Sequence, residues 1–359
     1  MIPYFLWLAV PILARIIGKK YRITSGNKIL CETQTASIDI FMFMLLLLLA
    51  FRGLQCGSDT RRYMQLYNEY GAKSFPELLG NNERERAYKL LNKLVNLLLG
   101  DYQVLLAVAA LICVCPLWYF YKRESENQVL TIVLFLGVVP YMMYFSGIQQ
   151  SLSMALGIPA WYCAKNKKLF RFILVVLLAM QFHTSAFMLF LIYPLYYAKI
   201  TKKWLWFVVP CMVAVYVFKI PIFNFLLKLL WQEYNLTAAT GATTILILLI
   251  LFGFYSYILP EDRNLDKDTI ALRNILLLSI VLQIFAMLHP LSMRMNYYFL
   301  IFVPILIPKI ANRSQKQYTQ IARLSVTVMT AYFMFYFFRS VITDKDSLNI
   351  FPYIPFWKN

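Results

Sequence analysis

Charged side chains are scarce in this chain of 359 residues, and negative ones are about half as common as positive ones. Asp, Glu, Lys and Arg together make up 14% of the sequence, well below the roughly 25% that is typical of soluble domains. Apolar residues make up 60%. This balance excludes a water-soluble enzyme, a disordered chain and a nucleic-acid-binding protein. It predicts an all-α integral-membrane protein with a single domain over residues 1–359.

The common signatures of nucleotide and metal chemistry are also absent from the sequence. It contains no G-x-x-x-x-G-K-[ST], G-x-G-x-x-G, H-E-x-x-H or C-x-x-C motif. None of the six cysteines belongs to a metal-binding or redox pattern, so we interpret them as small hydrophobic residues. We therefore expect no nucleotide-driven pump, no metal site and no cofactor.

Long apolar segments dominate the chain, and about twelve of them are candidate membrane spans, since a span needs about 20 mostly apolar residues. Residues 1–17 have no basic residue before their apolar run, so they are expected to form a retained first span rather than a cleaved signal peptide. The candidate spans are 1–17, 36–51, 103–121, 128–145, 148–164, 169–182, 184–198, 204–219, 241–259, 270–288, 295–311 and 319–338.

The basic residues are distributed unevenly among the connecting segments, and they account for the net charge of +18. Those in short loops or at span ends cluster in alternate connections, at 15–28, 122–123, 165–171, 199–203, 263–273 and 309–323. Because short cytoplasmic loops are enriched in Lys and Arg, these clusters predict that both termini are extracytoplasmic. The positive charge then reflects orientation in the membrane and needs no nucleic-acid partner.

The longest connecting segment, 52–102, is predicted to be an extracytoplasmic loop. Gly53 and Gly57 near its start are typical of turns. The Ser58–Asp59 pair that follows is placed to cap a helix beginning at Thr60. We therefore expect the first part of the loop to contain a short capped helix.

The second part of this loop has the pattern of an amphipathic helix. Leucines recur at helical spacing between 83 and 98, and Glu85 and Lys89 are four residues apart on the polar face. We expect this helix to lie on the membrane surface and to lead into the next span. Such a helix suits a substrate with a lipid tail, but it also occurs in many other polytopic proteins.

Two arginines are predicted to lie close to the hydrocarbon on the extracytoplasmic side. Arg52 follows the five leucines at 45–49, and Arg294 lies between two methionines. A charged side chain near the bilayer core is costly. Each arginine either extends to the lipid headgroups or forms a buried anion site, since guanidinium binds phosphate through two parallel hydrogen bonds.

Three side chains on the same side are candidates for a general base. His183 is a candidate because the histidine side chain is the usual general base near neutral pH, although a lone histidine at a span end is more often structural. Asp59 and Glu85 are the competing candidates. Gln149 and Gln150 begin a predicted span, where their amides either bind sugar hydroxyls or bond neighbouring helices.

Six segments in order along the chain resemble the EpsG/Wzy-like family of exopolysaccharide polymerases. They are FRGLQCGSDTRRYMQLY, ERERAYKLLNKLV, FSGIQQSLSMAL, LAMQFHTSAFMLFLIYPLY, RMNYYFLIFVPILIP and the tail IFPYIPF. The residues that match the family pattern are Arg52, Gly57, Asp59, Tyr63, Glu85, Tyr88, Gln150, His183 and Arg294. One position departs from it: Gln149 replaces an expected arginine, for which Arg61 or Arg62 could substitute.

The resemblance implies a membrane enzyme that polymerises lipid-linked sugar repeat units. A growing chain on polyprenyl diphosphate would be transferred to another lipid-linked repeat unit, at the outer face of a bacterial cytoplasmic membrane. The fold would be similar to that of membrane glycosyltransferases that use polyprenyl-linked donors. The expected partners are the polyprenyl-diphosphate-linked oligosaccharide, membrane lipid and a regulator of chain length. The product, whether capsule, exopolysaccharide or O-antigen, stays open.

We interpret the matched residues in three roles. Arg52, Arg294 and Arg62 would bind the diphosphate; His183, Asp59 or Glu85 would act as the base; and Tyr63, Gln149 and Gln150 would position sugars. Two other functions are alternatives: a flippase for the same lipid-linked oligosaccharide, and a membrane O-acyltransferase of surface glycan.

Overall fold

The computed structural model is helical along nearly its whole length, as the composition predicts. It describes residues 1–17, 22–25, 28–32, 36–80, 83–138, 140–229, 235–343, 346 and 348–358. Lys19 and Lys20, two of the expected cytoplasmic charges, lie outside the described residues. The all-α expectation misses one short antiparallel hairpin, whose strands β1 and β2 are Arg22–Ser25 and Lys28–Glu32.

The contacts divide the chain into two compact units. Unit 1 comprises Met1–Ala155 and Thr327–Asn359, and unit 2 comprises Leu156–Val326. The single domain expected over residues 1–359 stays a prediction.

Nine helices precede residue 156 in the described part of unit 1. They are α1 Ile2–Ile17, α2 Ser37–Ala50, α3 Thr60–Ala72, α4 Phe75–Leu79, α5 Arg86–Leu99, α6 Tyr102–Glu124, α7 Gln128–Gly137, α8 Tyr141–Ser146 and α9 Ile148–Ala155. A 3-10 turn, Phe356–Lys358, ends the described chain.

Unit 2 contains both α-helices and short 3-10 helices. Its α-helices are α10 Gly157–Lys165, α11 Leu169–Phe182, α12 Ile192–Tyr197, α13 Leu205–Val217, α14 Lys219–Leu229, α15 Ala242–Ile258, α16 Lys267–Ala286, α17 Pro290–Leu300 and α18 Val303–Asn312. The 3-10 helices are Thr184–Leu191, Lys202–Trp204, Asp262–Asn264 and Lys316–Tyr318. Helix α19, Thr319–Thr343, begins in unit 2 and ends in unit 1.

Fewer helices are long enough to cross a membrane than the apolar runs predict. Within the described residues, three are long and apolar enough by themselves: Tyr102–Glu124, Lys267–Ala286 and Lys316–Thr343. Two bent pairs raise the number to five if each pair is one span: Thr184–Tyr197 with Lys202–Val217, and Pro290–Leu300 with Val303–Asn312. The total of twelve spans stays a prediction.

Proline lies at the break in two of the expected spans. The expected span 128–145 is divided into α7 and α8, and Pro140 immediately precedes α8. The expected span 295–311 bends by 49° between α17 and α18, where Pro304 lies in the first turn of α18. Proline has no N–H to donate and clashes with the carbonyl four residues earlier, so an apolar run containing it need not form one straight helix.

The extracytoplasmic loop predicted at 52–102 contains the two expected helices, α3 and α5, and the short helix α4 between them. The predicted start at Thr60 is confirmed, although Asp59 makes no capping hydrogen bond with its side chain. Glu85 and Lys89, expected together on the polar face of this helix, form no ion pair with each other in the described structure. Glu85 precedes α5 with a φ of +56°, and Lys89 instead forms an ion pair with Glu83.

Aromatic side chains form the core where α1, α2 and α7 meet in unit 1. Trp7 stacks on Phe41 with ring centroids 4.8 Å apart, and its indole N–H donates to the carbonyl of Phe41 at 3.0 Å. At the start of α2, Asp39 accepts hydrogen bonds from Trp118 and Lys122 near the end of α6. Since Arg52 follows the other end of α2, Lys122 lies at the opposite end of this bundle.

Helix α16 is the centre of unit 2, where it contacts α12, α15 and α17. Its first half carries an ionic network at one end of the unit. Asp268 pairs with Lys165, and Asp266, which caps α16, pairs with Arg313. Three of the predicted cytoplasmic clusters, at 165–171, 263–273 and 309–323, thus meet at one end. The side of the membrane on which this end lies stays a prediction.

Candidate active site

Arg52, one of the predicted phosphate ligands, is buried in unit 1 just after helix α2. Its side chain is 2% exposed. Nη1 donates a hydrogen bond to the carbonyl oxygen of Leu49 at 2.9 Å, whereas Nε has no hydrogen-bond partner. Among the described residues, no carboxylate forms an ion pair with this guanidinium. A buried cation with a single neutral partner is unfavourable, so this position is suited to an anion that can use its remaining donors.

The backbone around Arg52 is held by segments that are distant in sequence. The side-chain amide of Gln103, at the start of α6, donates to the carbonyl oxygens of Ala50 and Arg52. On the other side, the N–H of Gly53 donates to the carbonyl of Ile354 at 2.7 Å. The arginine is therefore fixed between α6 and the C-terminal segment 348–358.

Asp59 is positioned by a tight turn that packs against helix α8. Gly57 has a φ of +98°, and a Cβ there would lie 2.3 Å from the carbonyl oxygen of Phe145. The hydroxyl of the next residue, Ser58, lies 2.7 Å from that of Ser146 and donates to Oδ1 of Asp59 at 3.2 Å. Asp59 is half-buried. The turn thus brings this carboxylate to the segment that joins α8 to α9.

The second carboxylate candidate, Glu85, contacts the same segment from its position just before helix α5. The amide Nε2 of Gln149 donates to Oε2 of Glu85 at 3.0 Å. Gln150 is buried, with 3% of its side chain exposed. The amide that replaces the family's arginine therefore binds one of the candidate bases. The stretch from Ser146 to Gln150 consequently has a candidate carboxylate near each end.

Arg62 and Tyr63, the two other predicted site residues of unit 1, lie in different environments. Arg62 is exposed on α3. Tyr63 is buried, and its ring packs edge-to-face on that of Tyr88, with centroids 5.9 Å apart. This contact joins α3 to α5, so Tyr63 has a packing role whether or not its hydroxyl meets a sugar.

His183 and Arg294 belong to unit 2. His183 is half-buried at the junction between α11 and the 3-10 helix that follows, and its carbonyl accepts the N–H of Ala186 at 3.0 Å. Arg294 is exposed on α17. One turn further along α17, the hydroxyl of Tyr298 lies 3.0 Å from that of Ser185. The segments that carry the histidine and the arginine are therefore in direct contact.

The second histidine, His289, has a local structural role. Its Nδ1 accepts the N–H of Leu291 at 3.1 Å and so caps helix α17. Its ring stacks on Phe223 with centroids 6.4 Å apart. Burial lowers the pKa of this imidazole, and the positive charge of Arg294 lowers it further. A neutral ring at neutral pH is what the cap requires, because Nδ1 must keep its lone pair.

Sequence reasoning identified these side chains but missed the groups that hold them. Gln103, Ser146 and Ile354 bond to the Arg52 and Asp59 segments from distant parts of the chain. For one of them, Ile354, the only signal in the sequence was the similarity of the tail to the family pattern. In the described part of the chain, no group of three or more His, Cys, Asp or Glu side chains could hold a metal ion.

Comparison with known proteins identifies the family. The family model of the EpsG family matches residues 37–354, which include every residue of the candidate site. No curated protein and no solved structure matches the chain. The chain therefore belongs to the EpsG family, which together with its apolar helices indicates a membrane protein of polysaccharide synthesis.

Proposed function

We propose that this protein polymerises polyprenyl-diphosphate-linked oligosaccharide repeat units into a surface polysaccharide at the outer face of the cytoplasmic membrane. Family membership supports the substrate class. The observation that carries the proposal is the state of Arg52, a buried cation with one carbonyl partner and no paired carboxylate among the described residues. A diphosphate would supply the missing negative charge and acceptors for the unused N–H groups.

The proposed reaction is a glycosyl transfer between two lipid-linked sugars. A hydroxyl oxygen of the acceptor repeat unit attacks the anomeric carbon of the growing chain. The bond from that carbon to the donor diphosphate breaks, and the polyprenyl diphosphate leaves with the electron pair. The hydroxyl proton passes to a protein base. Negative charge therefore accumulates on the leaving diphosphate, and Arg52 would stabilise it electrostatically as it forms.

Arg294 would act as the second diphosphate ligand, in keeping with its expected place on the extracytoplasmic side. It is exposed, so its charge is accessible to a lipid headgroup without rearrangement of a core. Arg62 is likewise exposed. Of the three arginines, Arg52 is the one whose burial most favours an anionic ligand.

His183 is our first choice for the base because a neutral imidazole can accept a proton near neutrality. It lies next to the contact between Ser185 and Tyr298. Asp59 and Glu85 are the alternatives in unit 1. Glu85 accepts a hydrogen bond from Gln149, which fixes one of its oxygens. Gln150 and Tyr63 would position the sugars.

The size distribution of surface glycan and of lipid-linked intermediates tests this function. We expect a strain that lacks the gene to display single repeat units at the outer face and no polymer ladder, and the wild-type gene to restore the ladder. Intermediates trapped inside the cell would overturn the proposal in favour of a flippase. A normal ladder that lacks one substituent would overturn it in favour of an O-acyltransferase.

A further inference from the structure

Unit 2 contains an apolar groove that the proposed site does not use. It lies between α13 and α15, and α16 forms its floor. Its volume is about 540 Å³, which is within the usual range of pockets for organic ligands. The side chains that line it carry no charge, and the only polar groups among them are the hydroxyls of Tyr216, Thr243 and Tyr257. Such a lining favours a hydrocarbon ligand.

The length of the groove indicates what kind of hydrocarbon fits. Along α15 its lining runs from Thr243 to Tyr257, which at 1.5 Å per residue is roughly 21 Å. One leaflet of a bilayer contributes only about 15 Å of hydrocarbon, half of the roughly 30 Å core. A groove longer than one leaflet accommodates a long extended hydrocarbon such as an isoprenoid chain, and competition with a phospholipid distinguishes this chain from an acyl chain.

The two ends of the groove differ in charge, and the difference sets the direction of the ligand. At one end, the guanidinium of Arg273 lies 3.9 Å from the ring centroid of Tyr257, and Asp262 neutralises it at 2.8 Å. At the other end, Nζ of Lys219 lies 4.0 Å from the ring centroid of Tyr216. Among the described residues, no carboxylate pairs with Lys219. A phosphate would therefore lie at the Lys219 end.

We infer that this groove binds the chain of the polyprenyl diphosphate that carries the acceptor repeat unit, with its phosphates at Lys219, whereas Arg52 would bind the diphosphate of the donor. The inference rests on the proposed function, because that function makes a polyprenyl-linked sugar the substrate. The predicted topology also places Lys219 on the extracytoplasmic side, where the diphosphate must lie for the transfer. Unit 2 would thus hold a lipid chain by apolar contact and its headgroup by one cation.

Photo-crosslinking tests the inference with the full-length protein purified in detergent. The probe is a polyprenyl diphosphate that carries a diazirine in its chain. Val213 and Val217 are both exposed on α13, but only Val213 lines the groove. We expect Val213→Trp to abolish labelling of α13 and α15 by filling the groove, and Val217→Trp to leave it unchanged. If Val213→Trp fails to accumulate, a second matched pair is available on α15. Ile250 lines the groove, so Ile250→Trp should fill it, whereas Leu251 does not line it and Leu251→Trp is the control.

The charged end is tested with the same probe. Lys219→Gln should weaken labelling by roughly tenfold, the effect of losing one charge-assisted contact, whereas Lys228→Gln on the same helix should not. Labelling of both groove-filling variants at the wild-type level would overturn the inference. So would equally effective competition by phosphatidylglycerol, which would make the groove a site for bilayer lipid.

This binding assay does not depend on polymer formation, so the two hypotheses can fail separately. If the deletion strain loses its ladder but the groove-filling variants still bind the probe, the groove is not the chain site and the proposed function stands. If the deletion strain keeps a normal ladder while Val213→Trp abolishes labelling, the proposed function fails and the groove remains a polyprenyl site.

Discussion

Two buried arginines, one in each unit, have opposite electrostatic environments. Arg273 in unit 2 is fully buried and pairs with Asp262 at 2.8 Å; it also donates to the carbonyl of Ile200 and lies on the ring of Tyr257. Arg52 in unit 1 is 2% exposed, yet its one hydrogen bond goes to the carbonyl of Leu49. Only the first arginine has a counter-charge within the described protein.

The difference separates a structural cation from one that is available for a ligand. A buried ion pair balances its own charge, so removing one partner leaves the other unpaired at a large cost. An unpaired buried cation retains the cost of desolvation, and an anionic ligand would offset that cost. On this reasoning, Arg273 stabilises the ends of helices in unit 2, and Arg52 is the buried arginine that we propose as a ligand of the diphosphate.

The largest expected effect follows from changing Arg52. Arg52→Gln should reduce polymer by roughly a hundredfold or more, comparable to the loss of one preorganised donor at a site of developing negative charge. The melting temperature should change little, because no carboxylate loses its partner. Glycan ladders and thermal unfolding in detergent measure the two effects. Arg52→Lys, which keeps the charge but not the planar fork, should retain partial activity. A full-length ladder from Arg52→Gln would remove Arg52 from the site.

Arg273→Gln should show the reverse pattern, with stability lost first. We expect it to cost about 3 kcal/mol, the lower part of the range for breaking a buried pair, because Asp262 is 24% exposed. Protein abundance in the membrane and the melting temperature are the measurements. The control is the double variant Arg273→Met with Asp262→Leu, which should recover most of the loss. An unchanged melting temperature for Arg273→Gln would contradict the structural role.

Two glycines with positive φ provide a second, smaller contrast between the units. A Cβ on Gly57 would lie 2.3 Å from the carbonyl oxygen of Phe145, whereas one on Gly241 would meet nothing within 4 Å. Gly241→Ala should therefore cost about 1 kcal/mol from backbone strain alone. Gly57→Ala should cost more and should also reduce polymer by displacing Asp59. Equal melting temperatures for the two variants would refute the close contact at Gly57.

The smallest effect concerns the cap formed by His289. His289→Ala should cost about 1 kcal/mol through loss of the hydrogen bond to Leu291, and His289→Asn should retain most of it. The lowered pKa sets the pH dependence. Below the ordinary pKa of about 6.5 the unfolded chain binds a proton that the folded state resists, so the stability that His289 provides falls as pH falls. Melting temperatures of wild type and His289→Ala should therefore converge between pH 7 and pH 5. Parallel curves would exclude this role.

Local patterns in the sequence predicted much of the helical structure. The apolar runs identified most of the long helices, and the Ser58–Asp59 turn placed the start of α3 at Thr60. Leucine periodicity located α5, although its buried face carries Tyr88, Asn92 and Val95 while Leu98 is exposed. Breaks such as that at Pro304 were not predicted, because hydropathy averages over a window and does not register a single missing N–H.

The candidate site was harder to predict because its geometry depends on contacts between distant segments. The sequence marked Arg52, Asp59 and Glu85 by their positions beside apolar runs and turns. It gave no information about the amide of Gln103 or the carbonyl of Ile354, which hold the Arg52 segment from 51 residues and about 300 residues away. Nor did helical spacing reveal that Glu85 lies outside α5 in a left-handed conformation, or that the side chain of Lys89 pairs with Glu83.

Binding of polyprenyl diphosphate to Arg52 variants tests most directly whether this arginine is a diphosphate ligand. Purified wild-type protein should gain thermal stability on addition of polyprenyl diphosphate, since a ligand that binds the folded state raises its melting temperature. Arg52→Gln should lose most of that gain and keep only the part that comes from binding at the Lys219 groove, and Arg123→Gln, which removes an exposed arginine at the end of α6, should keep all of it. An equal gain in the wild type and in Arg52→Gln would contradict the assignment of Arg52 as the ligand of the donor diphosphate.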